Sequence, residues 1–142
     1  MILLDTSVLS RVFRRRRSGP DEKKLQSVFG ELAAGEVPLA LPGIALQEVL
    51  SGVRSERQFA ELADKLQASF EIVNAGTADH VEAARLKNRC LSRGLSVSGP
   101  DCLIATLAIR GEHRLFAVDD DFRSIAKHAP LDLFEPATSA SR

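Results

Sequence analysis

The sequence contains no tryptophan and no tyrosine, and its aromatic residues are seven phenylalanines. A nucleic-acid surface built on base stacking needs exposed aromatic faces, so recognition of that kind here would rest on shape and backbone contacts. Cysteine is almost as scarce. Cys90 and Cys102 lack metal-ligand spacing and fall inside helical patterns, which reads as two reduced, buried thiols. Net charge is absent too: 19 basic and 19 acidic residues cancel, which excludes a generic polyelectrolyte binder. No apolar run approaches membrane-spanning length, and no charged segment precedes a long apolar one at the N-terminus. The expectation is a cytoplasmic protein without a membrane partner. Also missing are a glycine-rich phosphate loop, a nucleophile elbow and any histidine paired with a nucleophile; His80, His113 and His128 fall near helix ends or in loops.

What is present suits one folded domain. The 142 residues, 44% hydrophobic and 27% charged, suffice for a single core, expected over 1–136 with a frayed polar tail at 137–142. Short apolar runs alternate with helical patterns. Ile2-Leu3-Leu4, Pro38 to Pro42, Glu71 to Asn74, Leu115 to Val118 and Leu131 to Phe134 read as strands. Between them, helices are predicted from a Thr6 or Ser7 cap to Phe13, from an Asp21 cap to Gly35, over Ile44–Val53 and Ser55–Phe70, from a Thr77 cap to near Gly94, from Ser98 to Gly111, and over Phe122–Lys127. Ser98-Gly99-Pro100-Asp101 has the spacing of a capping box with an early proline. This alternation predicts an α/β fold, a three-layer α/β/α sandwich around a parallel sheet of about five strands. In such folds ligands bind beyond the carboxyl ends of the strands.

Four acids stand out by placement. Asp5 and Asp119 end strands, Asp101 falls in the first turn of a helix, and Glu48 lies on a helix among apolar residues. Taken singly, each has an ordinary explanation as a cap, a solvated face or an acidic turn. Gathered at one edge, they would repel one another and could not all ionise without a cation. Carboxylates suit Mg²⁺ or Mn²⁺, which can activate water and steady charge on a phosphodiester. The helix opening at Thr6 and Ser7 would offer backbone N–H groups to a phosphate. The run Arg14-Arg15-Arg16-Arg17 could contact RNA phosphates or be a solvated loop.

Four segments in order then resemble the PIN domain, specifically the small VapC-type toxins of bacterial toxin–antitoxin pairs. They are Leu4-Asp5-Thr6-Ser7, Ala45 to Gly52 around Glu48, Asp101 to Ala108, and Leu115 to Phe122 around Asp119. The resemblance covers nearly the whole chain. It implies a five-stranded parallel sheet with the first strand central and the fourth beside it, and Mg²⁺- or Mn²⁺-dependent endoribonuclease activity. It also implies an acidic quartet of Asp5, Glu48, Asp101 and Asp119, a further acid at Asp121, a hydroxyl partner at Thr6 or Ser7, a homodimer, and a cognate antitoxin occupying the active-site groove. Ala117 stands where the family often has threonine. Two enzyme readings follow: a toxin, or a PIN-like nuclease of RNA processing. A phosphoacceptor signalling domain would want an acidic pair ending the first strand and an aspartate ending the third; Asp5 has no acidic neighbour, and Asn74 ends the third. A catalytically inactive binding module would be favoured by a missing acid, and none of the four is missing.

Overall fold

A computed structural model of the chain describes residues 1–13 and 19–136. The expected polar tail and the arginine run Arg14–Arg17 lie outside these residues. The elements follow in the order β1 (Ile2–Leu4), α1 (Thr6–Phe13), α2 (Pro20–Ala34), β2 (Leu39–Pro42), α3 (Gly43–Leu50), α4 (Glu56–Ser69), β3 (Glu71–Val73), α5 (Thr77–Ser92), α6 (Gly99–Arg110), β4 (Arg114–Phe116) and α7 (Asp121–Ala126). The sheet order is β3-β2-β1-β4, with every pairing parallel. β1 is therefore interior, with β4 beside it.

Alternation along the strands sends side chains to opposite faces of the sheet. Leu3, Ala40 and Leu115 join a core with α5, α6 and α7, through residues such as Leu86, Ile104 and Phe122. Ile2, Leu4, Leu41 and Phe116 join a second core with α1 to α4, through Val8, Leu9, Val49 and Leu66. Helices thus cover both faces, which accounts for strands that are apolar throughout. On the outer side of the second core, Phe13, Phe29 and Phe70 meet edge to face, with centroids 5.6 to 6.2 Å apart. Cys90 and Cys102 are free and buried, as their helical positions suggest.

Several boundaries differ from the pattern in the sequence, each for a physical reason. The strand expected at Leu131–Phe134 contracts to a single parallel bridge, Leu115 to Leu133, flanked by backbone bonds from Leu115 N–H to Asp132 and from Phe134 N–H to Leu115. Among the described residues the ladder has four strands, with this bridge standing at the place of the fifth in a sheet expected to have about five. β4 stops at Phe116 instead of Val118, because the Val118 N–H donates to a side chain, Ser7 Oγ at 3.2 Å. α3 ends at Leu50, where Gly52 adopts φ 91° and turns the chain away. Asp21 does not cap α2; Pro20 occupies the first turn and Gly19 the cap. Thr77 likewise lies inside α5, and its first turn is closed by Asp79, whose Oδ2 accepts from Gly76 N–H at 2.9 Å. Among the described residues no helix is long and apolar enough to cross a membrane.

Leu4 is fully buried in the second core, one residue before Asp5. Leu4→Ala should lower unfolding free energy by about 2–5 kcal/mol, whereas Val37→Ser, at a position 43% exposed, should change it by less than about 0.5 kcal/mol. Urea denaturation checks both; equal midpoints for Leu4→Ala and the parent would contradict this account of the core.

Candidate metal centre

β1 delivers Asp5 to the carboxyl edge of the sheet. Its backbone N–H donates to Phe116 O at 2.9 Å, fastening the end of β1 to β4. Asp5, rather than Thr6 or Ser7, is the residue that starts α1. Its carbonyl accepts from Val8 and Leu9 N–H, and its Oδ2 accepts from Ser7 N–H at 3.0 Å. These are the bonds of an N-cap aspartate. The N–H groups of the helix opening are therefore committed to Asp5 instead of being free for a phosphate. Ser7 Oγ donates to the same Oδ2 at 2.5 Å while accepting from Val118 N–H. One hydroxyl thus links the carboxylate at the end of β1 to the backbone leading to Asp119.

With Oδ2 held in this way, Oδ1 of Asp5 is buried and has no hydrogen-bond partner among the described residues. The side chain is only 3% exposed. Three further acids gather close by. Asp101, Asp119 and Asp121 each present a carboxylate oxygen, all within 4.8 Å of one another. Asp101 arrives there because Ser98 caps α6 by accepting from Asp101 N–H at 3.2 Å, leaving the Asp101 carboxylate facing its neighbours. Asp119 Oδ1 accepts from Asp121 N–H at 2.9 Å, and that tight turn brings the two carboxylates together. Asp119 and Asp121, the fourth acid of the predicted quartet and the further acid two residues on, thus lie in one group with Asp101. Asp120, at the cap of α7, is outside the group.

Glu48 stands apart from this trio. Its Oε1 accepts from the Thr6 hydroxyl at 2.7 Å, across 42 residues of sequence, which ties α3 to the start of α1. Of the predicted set, then, Asp101, Asp119 and Asp121 cluster, Asp5 abuts them, and Glu48 with Thr6 flanks them. The bridging role of Ser7 was not legible in the spacing, since its second partner is 111 residues away.

The electrostatics express the crowding. Burial, more than any other cause, holds the Asp5 carboxyl above its ordinary range, with the negative charge of Asp119 adding to it and the bonds from Ser7 and Thr6 opposing it. Asp101 is pushed up to about 6, first by burial and then by the charges of Asp5 and Asp119. A buried, unpartnered carboxylate oxygen beside three other acids matches what a hard divalent cation requires: oxygen donors carrying excess negative charge. The donor set fits such an ion.

A family model described as PIN domain matches residues 2–128. Among curated proteins none matches the chain. Solved structures do. The Rickettsia felis VapBC2 structure, bound to a DNA fragment from its promoter, gives a TM-score of 0.73 at 20% identity, covering 94% of this chain and 98% of that one. A Klebsiella pneumoniae toxin–antitoxin complex gives 0.68 at 21% identity, with 94% and 100% covered. Mycobacterium tuberculosis VapC20, a sarcin–ricin-loop-cleaving toxin, gives 0.71 at 14% identity, with 93% and 99% covered. At these identities the likeness is one of fold.

The ionic state of the acids has a measurable consequence. Between the ordinary value of 3.8 and about 6, the folded protein retains a proton on Asp101 that the unfolded chain has lost. Stability without metal therefore falls as pH rises through that window, and the cost is complete above it. Asp101→Asn should raise the metal-free Tm relative to the parent at pH 7.5 but not at pH 3.5. Mg²⁺ or Mn²⁺ should raise the parent's Tm and barely move the variant's. A Tm difference independent of pH in calorimetry would refute the account.

Proposed function

The chain belongs to the PIN-domain family, and from that premise we propose that it is a metal-dependent endoribonuclease, the toxin of a toxin–antitoxin pair. The observation that carries this reading is the buried, unpartnered Oδ1 of Asp5 beside the clustered carboxylates of Asp101, Asp119 and Asp121. Those four residues would hold Mg²⁺ or Mn²⁺. When bound, such an ion supplies charge neutralisation at a phosphodiester and activation of water.

The chain's own residues account for the rest. Ser7 engages Oδ2 of Asp5, which leaves Oδ1 as the oxygen that would reach the ion. Thr6 holds Glu48 by one carboxylate oxygen, leaving the other available to accept a proton at the flank of the acids. Raised carboxyl groups at Asp5 and Asp101 become acceptors at neutral pH once a cation offsets the mutual repulsion. Under this reading the partners are an RNA strand, a cognate antitoxin and a second copy of the chain, in the cytoplasm, with growth inhibited through loss of RNA. The toxin–antitoxin assemblies among its structural neighbours favour an antitoxin partner. The second reading, an RNA-processing nuclease, shares the site and differs only in biology.

Purified protein should cleave single-stranded RNA with Mg²⁺ or Mn²⁺ and not in EDTA. Asp5→Asn and Asp101→Asn should each lower the rate by more than about 100-fold while keeping the fold by circular dichroism. Cleavage by either variant at the parent's rate would sink the proposal. Expression should arrest growth, with relief from a small neighbouring gene product; unimpaired growth despite cleavage in vitro would favour RNA processing.

A further inference from the structure

Beside the acids, and sharing Asp119 with them as a wall, lies a cavity of about 290 Å³ between α2, the end of β4 and the segment beyond α7. Its lining joins apolar side chains, Leu25 and Val28 of α2, Phe116 of β4, and Leu133 and Phe134, to charged ones that include Asp21, Asp120 and Glu135 beside Asp119. Lys24 stands exposed at the rim without an ion-pair partner among the described residues, whereas Arg11 is paired with Glu22 and Arg123 with Glu135. The chemistry assigned to the acids makes no use of this space.

A nucleobase has two apolar faces and an edge of donors and acceptors, which suits apolar walls under a charged rim. Position favours it: Asp119 both belongs to the acid group and lines the cavity, so a strand with a phosphate at Asp119 has the adjoining nucleoside at the cavity. We propose that the cavity is a base subsite, receiving one unstacked nucleobase of the RNA strand next to the scissile phosphate, with Lys24 donating to the phosphate beyond it. This rests on the nuclease reading above. It also explains how a chain without tyrosine or tryptophan grips a base: aliphatic side chains and the flank of Phe134 supply the contact, and the base must be unpaired to enter. Phe134 is held in place by Phe116, edge to face at 5.1 Å, and by the Arg114 guanidinium 5.2 Å from its ring centroid.

The four ribonucleoside 5′-monophosphates, titrated without divalent metal into methyl-labelled protein, should shift the Leu25, Val28 and Leu133 resonances. Val28→Trp, which fills the cavity, should abolish these shifts. In cleavage, an abasic nucleotide beside the cut should raise KM about tenfold for the parent and impair Val28→Trp no further. Lys24→Ala, an exposed change, should raise KM several-fold at unchanged kcat. Absence of the methyl shifts, with cleavage indifferent to the abasic nucleotide, overturns the subsite and leaves the nuclease reading intact. Methyl shifts without cleavage of any RNA overturn the nuclease reading, and with it the placement beside a scissile phosphate. If Val28→Trp cleaves RNA normally but escapes a protein inhibitor, the cavity belongs to a peptide side chain and the proposal fails.

Discussion

The two oxygens of the Asp5 carboxylate are divided between two tasks, and the arrangement of the sheet edge follows from that division. Oδ2 is consumed by the start of α1, taking the Ser7 N–H and the Ser7 hydroxyl. Oδ1 is left buried and unpartnered. Normally an orphan oxygen of this kind is costly, because desolvation is not repaid by a hydrogen bond. Here the cap that fixes one oxygen is also what prevents the other from turning away. The backbone bond from Asp5 N–H to Phe116 then sets the height of β1 against β4, so the acid ending one strand and the turn following the other share one edge.

Acids brought together this closely destabilise the metal-free fold, and the structure withstands this because its cores lie directly beneath. Leu4 precedes Asp5 and Phe116 ends β4, both packed into the core shared with α1 to α4. On the other side, α6 carries Asp101 in its first turn and is buried from Cys102 to Ala108. Burial first, and then the neighbouring negative charges, hold the Asp5 and Asp101 carboxyl groups above their ordinary range.

On either side of the acids the surroundings differ. Toward α3, Glu48 is restrained by the Thr6 hydroxyl and extends the polar surface. Toward α2, the surface descends into a cavity where Leu25, Val28 and Phe134 stand among charged residues, Lys24 included. Ala117 lacks a hydroxyl at the approach to Asp119, and the contact that organises that approach comes from Ser7, across the sheet.

Much of this was legible in the sequence, for reasons that are local. Apolar runs of strand length followed by Asp5 placed that acid at the sheet edge, and Ser98 three residues before Asp101 announced the start of α6. Facing direction and capping depend on spacings of a few residues, which a sequence displays. Other features depended on contacts between distant segments. That Asp5 caps α1 required a carboxylate with one face already buried. Glu48 turning to Thr6, β4 yielding Val118 to Ser7, and the last expected strand shrinking to one bridge all depend on sheet register and helix packing. The sequence by itself determined that Asp5 and Asp119 follow apolar strand-length runs, that Asp101 opens a helix, and that a parallel sheet carries them. Only the tertiary structure decided which oxygens meet, because separations of a few ångströms between segments 42 to 111 residues apart are set by how the cores close.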